Sequence, residues 1–323
     1  QPLRGPTHSL RPNGCMGSSR LSPFFAVNQR METAMNNVSD TYQRITDLII
    51  EQLEAGTKPW VRPWRGNTRP SCTIPRRMSG EAYRGINVLM LWIASQMNGF
   101  EDTIWMTYRQ AKDLGGQVRK GERGSLVVKY GTFTPKDQDA DDDHTIPYLK
   151  GYTVFNVEQI ENLPTDYYSP VEPMPMAPVP HNETVDTFVR QTGAVIHYGG
   201  TKACYRPGPD DILMPDRERF LSDVHLHSSL LHEIGHWSGA KHRLDRDLSG
   251  RFGTNAYALE ELVAELSAAF LCADLGVAHD PRENTAAYIE NWLAVLKSDK
   301  RAIITAAAKA QAVADYLHEI ASG

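Results

Sequence analysis

The amino-acid sequence predicts an α+β protein of two domains, the second combining a small antiparallel sheet with a helical core. Three observations carry this expectation. Two β-rich runs lie in the first half, a proline-dense stretch follows them, and helical periodicity dominates from about Ser222 onward. At 323 residues the chain can bury two separate cores.

Taken in order, residues 1–38 are expected to be a disordered leader. They are rich in Arg, Pro, Ser and Gly, with no strand or helix period and no apolar signal-peptide core. Ser39 or Asp40 can cap a helix whose apolar residues Tyr42, Ile45, Ile49 and Leu53 recur at helical spacing, and Gly56 ends it. Residues 58–77 are broken by Pro59, Pro63, Pro70 and Pro75, so they are irregular. A second helix covers 86–97. A short third one, "YRQAKDL", is capped by Thr107 and stopped by Gly115-Gly116. The runs "GSLVVKYGTF" and "YLKGYTVFNVEQI", joined by the acidic "KDQDADDDH", read as a long hairpin. These elements define a domain over 39–162.

Residues 163–182 hold Pro164, Pro170, Pro173, Pro175, Pro178 and Pro180, a density that suits a stiff linker. The domain after it, 183–323, begins with a helix over 184–192. The segments "AVIHYGG" and "KACYRPGPDDILMP" read as short antiparallel strands, the second a rim to which an extended peptide would add. Helices fill the rest.

Bulk properties exclude several classes. No apolar run reaches the length of a membrane span. Cys15, Cys72, Cys204 and Cys272 are far apart and form no C-x-x-C pair, which argues against a disulfide framework or a cysteine metal site and fits a reducing cytoplasmic setting. The net charge of −5 says little until it is mapped along the chain.

The sharpest chemical signal is "SLLHEIGHWSGAKHRLD", 229–245. His232 and His236 lie four apart on a predicted helix, so their rings point the same way and can grip one metal ion. Glu233 stands between them as general base. His242 completes H-E-x-x-H-x-x-G-x-x-H, the pattern in which a third histidine ligates above a methionine turn. The last methionine is Met214, upstream of the motif, so no such turn exists and His242 is read as a bystander. The alternative third ligand lies in "NAYALEELVAELSAAFLCADLGV". There Glu261, Ala264, Glu265 and Ala268 share one helical face whose small residues permit close approach to the histidine helix. Glu261 is assigned as ligand and Glu265 as the group that orients a ligand histidine. Glu260 points about a hundred degrees away on an ideal helix and is set aside. Tyr257, one turn earlier, is a candidate for oxyanion support or simple packing. Three protein ligands leave a fourth position for water, the pattern of catalytic rather than structural zinc sites, although other divalent ions suit the same donors.

The first domain is basic and aromatic. Between Lys58 and Lys129 there are thirteen Lys and Arg against five Asp and Glu, interleaved with Trp60, Trp64, Tyr83, Trp105, Tyr108 and Tyr130. Positive charge follows a phosphate backbone and exposed rings stack on unpaired bases, so single-stranded nucleic acid is the expected partner. Trp60, Trp64, Arg62, Arg65, Arg76, Arg77, Arg84, Arg119, Lys120 and Arg123 are the candidate contacts, whereas Trp92 and Trp105 are expected in the core.

Several ordered blocks carry a family resemblance. "VSDTYQRITDLIIEQLEAGTKPWVRPW", "YRGINVLML", "WMTYRQAKDLGGQVRKGERGSLVVKY" and "KGYTVFNVEQIENLP" resemble the N-terminal domain of ArdC-type antirestriction proteins, which is also similar to the start of TraC-type plasmid primases. "HEIGHWSGAKHRLDR", "YALEELVAELSAAFLCADLGV" and "AAYIENWLAVLKSDKRAI" resemble that family's zincin-like metallopeptidase domain. The resemblance implies single-stranded-DNA binding, a metal centre of His232, His236 and Glu261 with Glu233 as base, and protection of incoming conjugative DNA from restriction. Two readings follow from it. One is a zinc metallopeptidase acting on a restriction component or another protein. The other is a non-proteolytic coat on single strands, with the metal domain as scaffold or partner-binding module.

Overall fold

The computed structural model describes residues 38–61, 73–133, 146–168, 181–251, 253–280 and 285–323. Residues 1–37 of the expected leader, the acidic hairpin loop and most of the proline-rich stretch lie outside them.

Helix α1, Val38–Glu54, turns Ile45, Ile49 and Leu53 into the interior, as their spacing requires. It ends at Gly56, whose φ of 75° is a left-handed conformation that glycine adopts without strain. Helix α2, Ile86–Asn98, is apolar nearly all round and is buried on both sides. One side meets the main sheet, whose strands are β1 (Arg76–Arg77), β2 (Ile104–Met106), β4 (Ser125–Phe133) and β5 (Ile146–Asn156) in the order β1-β2-β5-β4. Asn87 fastens α2 to it, donating to the Val128 carbonyl at 2.8 Å and accepting from the Val128 N–H at 2.7 Å. Strands β4 and β5 form the expected hairpin, in register from Ser125↔Val154 to Phe133↔Ile146. Helix α3, Tyr108–Asp113, starts at a capping box made by Thr107 and Gln110. A small second sheet pairs β3 (Gln117–Val118) with β6 (Ile160–Glu161).

After α4, His181–Gln191, come β7 (Ile196–Gly200), β8 (Cys204–Arg206) and β9 (Asp211–Pro215). The strand order is β7-β9-β8. The antiparallel expectation holds for β8 and β9 but not for β7, which runs parallel to β9. The reason is the tight turn through Asp210, at φ 58°: it folds β9 back between its two predecessors, so that β7 and β9 run the same way. Strand β8 is left at the edge.

Among the described residues four α-helices follow: α5 (Asp223–Trp237), α6 (Asn255–Asp274), α7 (Thr285–Ser298) and α8 (Ala302–Ala321). Helix α6 is the axis of this half. It is packed by α5, α7 and α8 and is buried along almost its whole length. Small residues set the spacing. A side chain added at Gly235 of α5 would stand 3.2 Å from the Ala264 Cα of α6, so the two backbones approach closely only because both positions are small.

The two halves are not held apart. Asn36–Gly323 forms one compact unit. Trp92 of α2 packs on Phe270 of α6 with ring centroids 5.8 Å apart, and the Thr46 hydroxyl of α1 donates to the Lys300 carbonyl at 2.8 Å. Arg84 pairs with Asp315 of α8. Among the described residues no helix is long and apolar enough to cross a membrane.

Candidate metal centre

Helix α5 begins at Ser222, whose hydroxyl accepts from the His225 N–H, and runs unbroken through the H-E-x-x-H segment. Its local pitch stacks His232 and His236 one turn apart, with ring centroids at 4.8 Å. Their Nε2 atoms face each other at 3.1 Å. Two imidazole lone pairs at that distance repel unless one nitrogen is protonated or both face a shared cation. Glu261 of α6 closes the third side. Its Oε2 lies 3.4 Å from His232 Nε2 and its Oε1 3.5 Å from His236 Nε2. One donor atom from each of the three residues falls within 4.8 Å of the others.

The other ring nitrogens face carboxylates. His232 Nδ1 stands 3.4 Å from Glu265 Oε2, and His236 Nδ1 stands 3.1 Å from Glu260 Oε1. This arrangement presents both Nε2 lone pairs to the centre, because a carboxylate on Nδ1 holds the proton there. The donor set therefore fits a divalent cation: two neutral imidazoles and a carboxylate, oriented from behind.

The charges are strongly perturbed. Burial alone would lower the His236 imidazole, but hydrogen bonds to Glu260 and Glu261 outweigh it and raise it to about 10. Burial alone would raise Glu261, yet the two histidines hold its carboxyl far below the usual range. Glu265 shows the same balance, with His232 and His279 as its partners. A pocket of buried carboxylates around two imidazoles is an environment built to hold positive charge.

His232, His236, Glu261 and Glu265, expected together from their spacing, are brought together by the fold. Glu233 is buried, and its Oε2 accepts from the Tyr205 N–H of the edge strand β8 at 2.7 Å. Tyr257 is half-buried, with its ring stacked on Tyr288 at 6.4 Å. Burial, the Tyr288 hydroxyl and Glu261 together push its hydroxyl upward. His242 is 64 % exposed and lies 3.3 Å from Asp210, apart from the His232–His236–Glu261 group.

Two further residues, Glu260 and Trp60, belong here against expectation. Glu260 does point away from Glu261 on the helix, but the His236 ring spans the gap and touches one carboxylate with each nitrogen. Arg246 then clamps Glu260, donating from Nε to Oε2 at 3.0 Å and from an Nη to Oε1 at 2.8 Å. The consecutive acids Glu260 and Glu261 opposite two histidines were the available signal.

Trp60 is the second, and a correction. It was expected to stack on unpaired bases. Its ring is 0 % exposed, in edge contact with Trp292 at 5.6 Å, and its indole N–H donates to Glu265 Oε1 at 3.2 Å. A ring enclosed on all sides offers no face to a base. Trp105 and Trp92 are buried as expected.

Of the other candidate nucleic-acid contacts, Arg62, Trp64 and Arg65 lie outside the described residues. Arg76 and Lys120 are exposed. Arg77, Arg84 and Arg119 are exposed but ion-paired, with Glu81, Asp315 and Glu122. Arg123 is half-buried. Among the described residues of 39–162 the exposed rings are instead Tyr108 at 49 % and Tyr130 at 50 %, next in sequence to Arg109 and Lys129 respectively.

Comparison with known proteins matches both halves. Residues 39–155 match the N-terminal domain of anti-restriction factor ArdC, and residues 183–309 match the zincin-like metallopeptidases. The chain is 46 % identical to the uncharacterized protein y4eC of Sinorhizobium fredii, over 87 % of this chain and 92 % of that one. It is 37 % identical to a DNA primase TraC of Escherichia coli over 91 % of this chain but only 21 % of the primase. Among solved structures it resembles the metal-free antirestriction ArdC protein from the R388 plasmid, with a TM-score of 0.75, 45 % identity and coverage of 88 % of this chain and 98 % of that one. The Mn(II)-bound form of that protein matches with a TM-score of 0.72 at 45 % identity, over 87 % of this chain and 98 % of the other.

Proposed function

Because the chain belongs to the ArdC family of antirestriction proteins, an ArdC N-terminal domain followed by a zincin-like metallopeptidase domain, we propose that it binds single-stranded DNA through its first half. We further propose that it cleaves a protein target with a metal centre of His232, His236 and Glu261, so protecting incoming conjugative DNA from restriction. The observation that carries this reading is the convergence of two Nε2 atoms and one carboxylate, with a second carboxylate behind each imidazole.

A divalent cation held there, zinc by its donor set or manganese as in the Mn(II)-bound relative, would supply Lewis-acid polarisation of a carbonyl and a more acidic water. Glu233 would act as the base. The Tyr205 N–H orients its carboxylate, which takes the proton of water as the oxygen attacks the peptide carbon. That proton then passes from Glu233 to the leaving nitrogen as the C–N bond breaks. Glu265 and Glu260 keep both ligand rings in the Nδ1–H tautomer throughout. Strand β8, at the sheet edge, offers backbone groups to an extended peptide beside this base.

For the nucleic acid, Tyr108 and Tyr130 present exposed rings among lysines and arginines, and these suit stacking on unpaired bases.

The deciding experiment is Glu233→Ala assayed for antirestriction in conjugation, with metal content measured alongside. Loss of protection with metal retained is expected. Full protection by this variant would overturn the peptidase reading and leave protection by coating single strands.

A further inference from the structure

We infer that Trp60, supplied by the N-terminal half, is a positioning residue of the metal centre in the C-terminal half, acting through Glu265 on His232. This rests on the metal reading above. The geometry is a relay: the Trp60 indole N–H donates to Glu265 Oε1 at 3.2 Å, and Glu265 Oε2 stands 3.4 Å from His232 Nδ1. His232 in turn presents Nε2 to the centre, 3.4 Å from Glu261.

The chemistry gives each link a direction. Indole N–H can only donate, and an ionised carboxylate can only accept, so the Trp60–Glu265 bond has one polarity. Glu265 is buried, and a buried carboxylate requires donors on its oxygens to remain charged. Trp60 holds Oε1, with His279 Nε2 standing 3.7 Å from the same oxygen and beyond hydrogen-bond reach, and Oε2 lies toward the His232 ring. A charged, fixed Glu265 keeps the His232 proton on Nδ1 and its Nε2 lone pair on the metal side.

Trp60 is itself placed by the N-terminal half. It follows α1 by a short turn in which the Val61 N–H donates to the Lys58 carbonyl at 3.0 Å. Gln96 of α2 then ties the Val61 carbonyl at 3.0 Å. The indole also packs edge-on against Trp292 of α7, whose face continues the stack through Tyr288 to Tyr257. The first half thus builds one wall of the second half's site.

The test separates the N–H from the ring. In the full-length chain, Trp60→Phe keeps an aromatic ring against Trp292 and removes the donor. Calorimetric titration with Mn2+ and Zn2+ is compared for wild type, Trp60→Phe, Glu265→Gln, the double variant, and Trp105→Phe as a buried tryptophan packed on Phe100 in the first half. Glu265→Gln is expected to weaken binding about 10- to 100-fold, and Trp60→Phe, one step further out, about 3- to 10-fold. Trp105→Phe should leave affinity unchanged. Adding Trp60→Phe to Glu265→Gln should cause no further loss, because the relay is already cut. A Trp60→Phe affinity within twofold of wild type alongside a weakened Glu265→Gln overturns the relay alone, as does full additivity in the double variant. Wild-type affinity in Glu265→Gln and in His232→Ala overturns the metal reading and the relay with it.

Discussion

Glu260 Oε1 stands 3.1 Å from His236 Nδ1 while Arg246 grips the same carboxylate from the other side. This buried triad orients the second histidine of the motif from outside the motif itself. Arg246 also donates to Gly235 O and Ser238 Oγ, so it staples the end of α5 to α6. Glu260→Gln should keep the fold and weaken Mn2+ binding about tenfold, read by calorimetry. Arg246→Ala removes the guanidinium from the buried Glu260 carboxylate, and should cost about 3–5 kcal/mol in urea unfolding.

The third ligand is tested by a paired comparison. Glu261→Ala should remove most of the bound metal, measured by plasma emission after dialysis against limiting Zn2+. His242→Ala should bind as wild type does, since that ring sits at the surface beside Asp210. Metal lost in His242→Ala but kept in Glu261→Ala would transfer the ligand role to His242.

Proton release follows from His236. Held at about 10, its imidazole carries a proton at neutral pH in the metal-free protein, and a metal ion must displace it. Apparent metal affinity should therefore rise with pH between 7 and 9, by up to about tenfold per unit for each proton displaced. Titration in buffers of different ionisation heat should show at least one proton released per ion at pH 7.

The same groups set the stability of the metal-free protein. His236 is raised from 6.5, so its contribution is complete below 6.5 and is lost as pH climbs toward about 10. Glu261 and Glu265 are depressed from 4.5, so theirs is complete above 4.5 and is lost as pH falls below it. Melting temperature measured with chelator present should show the site's contribution at its maximum between 4.5 and 6.5 and declining on both sides.

Helix spacing is tested at Gly235. Gly235→Leu must push α5 from α6, because even a Cβ would stand 3.2 Å from Ala264 Cα. A loss of about 1–3 kcal/mol or more is expected in unfolding, with weaker metal binding because Glu261 retreats with its helix.

For nucleic acid, Tyr108→Ala and Tyr130→Ala should each weaken binding to a fluorescent oligonucleotide by about 1–3 kcal/mol where the ring stacks on a base. Lys129→Ala should lessen the salt dependence across sequences alike. Unchanged affinity in all three would place the strand elsewhere on the first half.

Most secondary structure was legible in advance. The α1 stripe, the Thr107 cap, the β4–β5 hairpin and the long helices each follow from neighbours within a turn or a hairpin. The pairing sense of β7 was not legible, because it depends on where β9 is inserted rather than on the composition of either strand. Trp60 was misread for a similar reason: an aromatic in a proline-broken basic segment looks exposed until its tertiary neighbours are known.

By itself the sequence determined the local half of the centre. Residues four apart on a helix share a face whatever surrounds them, so His232 and His236 could be paired from spacing, with Glu233 read from the H-E-x-x-H pattern, and the lack of methionine in 215–323 left no methionine turn within those residues. Only the tertiary structure decided what stands behind those ligands. Glu260 reaches His236 across 24 residues, the Tyr205 N–H reaches Glu233 across 28, and Trp60 reaches Glu265 across 205. Contacts at such separations are set by how helices and strands pack against one another, and no periodicity in the chain encodes them.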